Sequence, residues 1–456
     1  MTREQDSCLS HYLAELVHGI RTAPVTEADR NVVRQHLLDG VASAFIGCRS
    51  KEFRDLVGLS ALASRGSAPC RADGDLIQLQ DLGMLWAFAV NGSVFEDGSR
   101  EGACHPAAAV IPPVLAFSAG RSWETVDKAI IAGYDVMIRL ARSGNPHFAR
   151  KGFHATAITA PFGAAAAVAQ LLAYDPAATQ NALCLAAMGA SGLMASFKQG
   201  STQPLQVAWG VRSGIAAALM AGKGHSGYAK IFEEGFFPAY LGADAGNSIR
   251  LPLENGHAIN GCYLKPYPGC RHMHASLVAF HALAEQHGIT PEQVRKIDVG
   301  TYAIAITTGI KSLHKRGDAY FNIPYAIAAR AVLGKSDYDS FAEMHFTNPA
   351  IVDLMNKISV AVDPEIEARY PGQRGARVEV HLVDGRTCSH RLEYPLGEPE
   401  NPLAVSATKE KLRDAARDLL TPGELAHIES TLDGTAGLAA LDGIAIMLPE
   451  KMAFLA

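Results

Sequence analysis

The stretch FEDGSREGACHP, residues 95–106, gathers Glu96, Asp97, Arg100, Glu101, Cys104 and His105 on a turn broken by Gly98 and Gly102 and closed by Pro106. Acids, a cation, a thiol and an imidazole held this close are the parts of an acid/base site, although an exposed polar loop would have the same composition. Proline is favoured in the first turn of a helix, so His105-Pro106 marks a helix start. The helix N-terminus favours a carboxylate and the neutral form of an imidazole. Neutral histidine is a competent general base near pH 7.

Three further segments carry groups of this kind. KGFHATAITAPFG sets His154 at the start of an alanine-rich run, with Arg150 and Lys151 beside it. A structural cap is the competing reading there. SFKQGSTQPLQVAWGVR places Lys198 and Arg212 around a small polar turn. LKPYPGCRHMHASL, residues 264–277, combines two prolines and a glycine with Lys265, Arg271, His272 and His274. Its cations could bind carboxylates, the arginine in bidentate fashion. His272 and His274 are spaced as on a strand, but no acidic or cysteine partner lies near them in sequence, so no metal site is expected. A P-loop, a glycine-rich dinucleotide turn and a Gly-x-Ser-x-Gly elbow are all missing from the sequence. A net-acidic chain that keeps its basic residues for glycine- and proline-rich turns suits a polycarboxylate substrate.

The elements that must position these groups follow from pattern. At 456 residues the chain is long enough for two domains. Its 48% apolar and 19% charged residues suit a compact globular protein, and the net charge of −5 argues against nucleic-acid or polybasic membrane binding. The polar N-terminus lacks a signal-peptide core, and residues 155–173, interrupted by Pro161 and Gln170, read as a packed internal helix. The 8 cysteines form no Cys-x-x-Cys pair, which fits free thiols in a reducing cytoplasm.

Thr26-Glu27-Ala28-Asp29 opens a helix as a capping-box variant, and Val32, Val33, Leu37, Leu38, Val41 and Ala42 give it an apolar stripe. AAAAVAQLLAYD and QNALCLAAMGASGLM carry side chains small enough for helix axes to pack closely. After residue 263 KIDVGTYAIAIT alternates as a strand, and RVEVHLVDGRTCSHRLEY reads as a hairpin turning at Asp384-Gly385. GEPENP (397–402) reads as a linker and TKEKLRDAARDLL as helix again. The expected fold is mainly α with an inserted α+β domain: residues 1–263 and 404–456 helical, 264–403 α+β.

These segments, in this order, resemble the MmgE/PrpD family, which includes 2-methylcitrate dehydratase, cis-aconitate decarboxylase and iminodisuccinate epimerase. The motifs are HLLDGVASAFIGC, FEDGSREGACHPAAAVIP, GFHATAITAPFGAAAAVAQLL, ALCLAAMGASGLMASFKQGSTQPLQVAW, YLKPYPGCRHMHAS and FNIPYAIAARAVLG, and they span nearly the whole chain. The resemblance implies a large all-helical domain built from both chain ends, a smaller α+β lid, a homodimer, and a cofactor-free site in the cleft between the domains. It implies roles for Asp97 in the family's acidic run, His105 in its His-Pro step, His154 in its Gly-x-His segment, Lys265 and His274 around its Tyr-Pro turn, and Tyr325 after the lid-helix entry.

The chain departs from the family pattern at two places. Many members have Asp-Phe-Asp-Asp-Thr where this chain has Val94-Phe95-Glu96-Asp97-Gly98, and Thr-Lys-Pro-Leu-His where it has Thr202-Gln203-Pro204-Leu205-Gln206. Arg100 and Glu101 have no obvious counterpart. The substrate is therefore expected to be neither 2-methylcitrate nor cis-aconitate.

The expected activity is that of a cofactor-independent, dehydratase-type lyase on a small carboxylated metabolite. An epimerase or isomerase, a decarboxylase, and a non-catalytic carboxylate-binding relative are the alternatives. His105 is the expected base, with Asp97 orienting it or serving as partner acid. Lys265, His274 and Lys198, with Arg100, Arg271 and Gln203, are expected to bind substrate, and His154 or Tyr325 to protonate the leaving group or product.

Overall fold

The structure is a computed structural model that describes residues 8–63, 76–198, 202–242, 247–253 and 256–434, together with 441, 444 and 447. Cys70 and the Gln199-Gly200-Ser201 part of the Lys198 turn lie outside the described residues. Helices dominate, with one two-stranded and one four-stranded sheet among the described residues. The chain forms two compact units, one from residues 1–263 and 405–456 and the other from 264–404.

The first unit is a helical assembly. Helix Glu27–Gly47 starts where the Thr26 hydroxyl accepts from the Asp29 amide at 3.1 Å, as the capping pattern predicts. Its stripe of Val33, Leu37, Leu38 and Val41 is buried, and the helix packs on Leu76–Gly92 and Val405–Ala416. The alanine-rich helix Ala155–Leu171 is buried along its whole length, between Trp123–Gly144 and Pro204–Gly222. The small residues are needed for this packing: a Cβ on Gly214 would fall 2.2 Å from the Pro161 carbonyl oxygen. Among the described residues no helix is long and apolar enough to cross a membrane. Two short strands, β1 (Gly98–Ser99) and β2 (Cys262–Tyr263), pair antiparallel with Gly98 opposite Tyr263.

The second unit holds a sheet in the order β4-β3-β5-β6, from β3 (Val294–Thr301), β4 (Ile358–Val362), β5 (Ala376–Leu382) and β6 (Thr387–Leu392). β3 runs parallel to β4 and antiparallel to β5, with Ile297 opposite both Ile358 and Val380. Ile297, Val299, Thr301, Val378, Val380 and Leu382 are buried, and helix Arg271–His287 packs on β5 and β6. The β5–β6 hairpin turns at Gly385, φ +91°.

Three sequence expectations change here. The strand in KIDVGTYAIAIT stops at Thr301, and Ala303–Thr307 is a helical turn. RHMHASL is helix and not strand, so His272 and His274 stand about 200° apart around its axis. The GEPENP segment is no solvated linker, since Glu398 within it is fully buried.

Candidate active site

The turn after helix Leu76–Gly92 is built around Asp97, which is fully buried. One carboxylate oxygen, Oδ2, meets His36 Nδ1 and the Tyr134 hydroxyl, each at 2.7 Å. The other, Oδ1, accepts from the Ala107 amide at 2.9 Å, the first residue of helix Ala107–Phe117. The carboxylate expected at that helix N-terminus is therefore Asp97 itself. Burial pushes its pKa up, but the hydrogen bond and charge of His36, the Ala107 amide and Tyr134 outweigh it and hold the carboxyl below its usual range.

Asp97 orients His105, though not with its side chain. The His105 Nδ1–H donates to the Asp97 backbone carbonyl at 2.6 Å, so in the neutral ring the basic lone pair lies on Nε2. The His105 amide donates to Thr156 Oγ1 at 3.1 Å, which ties the turn to the first turn of helix Ala155–Leu171. The His105 side chain is 28% exposed beside a Glu96 side chain that is 2% exposed, with Nδ1 lying 3.6 Å from Glu96 Oε1. Oε1 also accepts from Asn91 Nδ2 at 3.0 Å, and Asn91 Oδ1 accepts from Gln203 Nε2 at 3.1 Å.

The loop is shaped for this arrangement. Val94 (φ +50°) and Ala103 (φ +47°) sit in the left-handed region that favours glycine, a cost of about 1–3 kcal/mol each that the surrounding hydrogen bonds hold in place. A Cβ on Gly98 would fall 2.3 Å from the Tyr263 hydroxyl, so β1 and β2 can pair only with glycine there.

His154 occupies the N-cap of helix Ala155–Leu171, yet its side chain caps nothing. Its Nδ1 faces Gln206 Nε2 at 3.3 Å, while Gln206 Oε1 accepts from the Leu193 amide at 2.8 Å. Donation by Gln206 to Nδ1 puts the ring proton of His154 on Nε2, the reverse of His105. Burial, with the nearby His105, pushes the His154 pKa down to about 3. It is therefore neutral at pH 7 and cannot protonate a leaving group as an imidazolium.

In the second unit Lys265 is 1% exposed and His274 fully buried. Arg271 is not poised to take a substrate carboxylate. Its Nε and Nη2 both reach Glu398 Oε1 at 3.0 Å, Nη1 donates to the Leu396 carbonyl at 3.0 Å, and Nη2 donates to that of Pro395 at 3.2 Å. Nη1 also reaches His274 Nδ1 at 3.3 Å. That engages all five guanidinium donors and leaves His274 with its proton on Nε2. His272 Nδ1 instead meets the Tyr302 hydroxyl at 2.8 Å. Among the described residues no cluster of His, Cys, Asp and Glu could hold a metal ion. Tyr325, expected as a proton donor, is fully buried with its hydroxyl donated to the Ser340 carbonyl at 2.7 Å. Burial also raises its pKa.

Within the first unit the structure thus joins Asp97, His105 and Gln203 in one network, with His154 beside it. Arg100 is half-buried in the turn after β1, and Lys198 is exposed at the end of the turn Met194–Lys198. Sequence reasoning missed His36, Asn91, Tyr134 and the buried pair Lys411–Asp39, in which Lys411 Nζ reaches Asp39 Oδ1 and the Phe95 carbonyl, each at 2.6 Å. A signal was present: His36 and Asp39, three apart, are charged or polar residues inside an apolar helix stripe.

Residues 11–247 match the MmgE/PrpD N-terminal domain and residues 267–433 the MmgE/PrpD C-terminal domain. A cis-aconitate decarboxylase-like protein of Aspergillus oryzae is 24% identical, over 92% of this chain and 93% of its own length. A cis-aconitate decarboxylase of Aspergillus terreus is 22% identical, over 90% of this chain and 89% of its own.

Proposed function

The chain belongs to the MmgE/PrpD family, and from that premise we propose that it is a dehydratase-type lyase acting on a small carboxylated metabolite. The observation that carries the reading is the Nδ1 bond from His105 to the Asp97 carbonyl, 2.6 Å long, on a partly exposed ring. It presents Nε2 as a proton acceptor. In the proposed step Nε2 takes the proton from the carbon next to a substrate carboxylate. The carbon–oxygen bond at the neighbouring carbon then breaks, the double bond forms, and the imidazolium returns its proton to the departing hydroxide as water. One histidine thus acts as base and then as acid. The neutral His154, its proton on Nε2, donates a hydrogen bond and no proton.

Lys265, His274, Lys198 and Arg100 are proposed carboxylate ligands, the first two on the strength of their places in the family motif. A positive group beside the carboxylate is what such a step needs, because charge develops there as the carbon is deprotonated.

A second reading, decarboxylation, is favoured by what the relatives are named for. There His105 enters the step already protonated from solvent: the carbon–carboxyl bond breaks, CO2 leaves, its electron pair shifts the double bond, and the carbon at the far end takes the His105 proton.

The test is proton NMR in D2O of the protein with citrate, 2-methylcitrate, cis-aconitate and iminodisuccinate, run beside His105→Ala. New vinyl signals without CO2 support dehydration, and with CO2 decarboxylation. Deuterium uptake at a stereocentre without a new product would make the protein an epimerase. Loss of turnover by about 10²–10⁴ in a folded His105→Ala protein is expected, and unchanged turnover would remove His105 from the reaction. Binding of panel members without any turnover would leave a carboxylate-binding protein.

A further inference from the structure

Glu96 stands at an acidic position of the family's run, beside the His105 Nδ1 and not the Nε2 that takes the proton, and the proposed reaction gives it no part. It is 1% exposed, and nearly as buried are Asn91, which holds it, at 4% and Gln203, which holds Asn91, at 6%. The links run from Gln203 Nε2 to Asn91 Oδ1 at 3.1 Å, from Asn91 Nδ2 to Glu96 Oε1 at 3.0 Å, and from that oxygen to His105 Nδ1 at 3.6 Å. Ser93 Oγ reaches the other oxygen at 3.5 Å. We propose that Glu96 is the buried counter-charge of His105, a positioning residue that sets how tightly the imidazole holds its proton, and that Asn91 and Gln203 fix where that charge sits.

The geometry explains why Glu96 and not Asp97 has this part. The Asp97 carboxylate is consumed by His36, Tyr134 and the Ala107 amide. Among the other titratable groups around the turn, Arg100 is half-buried after β1 and Glu101 lies 3.6 Å from Arg142 Nη1. Lys411 binds the Phe95 carbonyl and Asp39, the Cys104 thiol is pushed up by burial, and His154 is neutral. An opposite charge within about 4–6 Å favours the protonated imidazole by about one to three pH units. Gln203 and Asn91 carry no charge, so they act through geometry alone: with Gln203 gone, the Asn91 amide has lost the contact that orients it toward Glu96.

The effect on rate rests on the reading of His105 as the general base, and the experiment separates the two. In full-length protein with 13C-labelled histidine, the His105 ring is titrated by NMR in wild type, Glu96→Gln and Gln203→Met, and pH profiles of kcat/KM are recorded beside it. Loss of the anion lowers the imidazole pKa, so Glu96→Gln is expected to move the His105 titration down by about one unit or more. The acid limb of kcat/KM should move the same way, with Glu96→Asp restoring part of the shift. Gln203→Met is expected to give a smaller shift of the same sign, and it carries the test if Glu96→Gln does not fold. A His105 titration unmoved in a folded variant overturns the proposal. A moved titration with an unmoved acid limb upholds the counter-charge and overturns His105 as the base.

Discussion

Asp97 and His105 meet through a main-chain carbonyl: the imidazole Nδ1 donates to the Asp97 C=O at 2.6 Å while the Asp97 carboxylate binds His36, Tyr134 and the Ala107 amide. One residue therefore does two separate things. Its side chain locks the turn to three helices, and its backbone fixes the tautomer of the histidine. Changing the side chain acts on the protein's stability first and on the histidine only through it.

Asp97→Asn is accordingly expected to destabilise the protein by about 3 kcal/mol or more, because His36, Tyr134 and the Ala107 amide each lose a charged acceptor worth about 1.5–3 kcal/mol. Tyr134→Phe, which removes one hydrogen bond to the same oxygen, should cost about 1–2 kcal/mol. The folded pKa of Asp97 is held below its ordinary value. Its contribution is therefore fully present above the usual aspartate range, about 4, and is lost as pH falls below it. Urea unfolding of both variants between neutral pH and pH 3 checks the sizes and the sign. A variant Asp97→Asn that unfolds like wild type but has lost turnover would place the carboxylate in the chemistry.

How much of this was legible in the sequence depends on whether the signal was local. The Thr26 cap, the hairpin at Gly385 and the close packing of the alanine-rich helix rest on short-range propensity, period and side-chain size, and each is in the structure. The shift of RHMHASL from strand to helix shows the limit, because alternation over two histidines is compatible with either. Arg271 was readable as a cation but not as a spent one. Its partner Glu398 lies 127 residues away, and no local pattern links them. His36 and Lys411 share that problem, with Asp97 and Asp39 lying 61 and 372 residues away, and so does Asn91 in its bond to Gln203, 112 residues on. Nor can residue type reveal that Asp97 would serve through its carbonyl, since every residue has one.

Acid stability should also report on His154. A group whose folded pKa is about 3 against about 6.5 unfolded gives stability that is complete above pH 6.5 and is lost as pH falls toward 3. At pH 5 the gap from 6.5 corresponds to up to about 2 kcal/mol, at 1.36 kcal/mol per unit. His154→Gln does not titrate, so its thermal midpoint should fall less than that of wild type between pH 7 and pH 5. Parallel curves would show that the ring is protonated in the folded protein.

Arg271 offers a choice between ligand and scaffold. With its guanidinium donors on Glu398, two carbonyls and His274, Arg271→Lys is no conservative change, because an ammonium cannot reproduce the fork. It should lower stability by about 3 kcal/mol or more, and Glu398→Gln should do much the same. A rise in KM at unchanged urea midpoint would instead make Arg271 a substrate ligand.

The pair Lys411–Asp39 allows the sharpest energetic test. Both side chains are nearly inaccessible, at 4% and 0%, and Lys411 also holds the Phe95 carbonyl at the entrance to the acidic turn. Lys411→Met alone strands a buried carboxylate and should cost about 3–5 kcal/mol. Adding Asp39→Leu removes the stranded charge, and replacement of a buried pair by apolar residues of similar size is often neutral. Recovery should nevertheless stop short of wild type, because the Phe95 carbonyl has lost its donor and an unsatisfied buried acceptor costs about 1–3 kcal/mol. The residual deficit of the double variant in urea unfolding therefore measures the bond that steadies the turn, separately from the ion pair. Full recovery would mean that Phe95 is held without Lys411. A double variant no better than Lys411→Met would mean that Asp39 is not stranded by the loss of its partner.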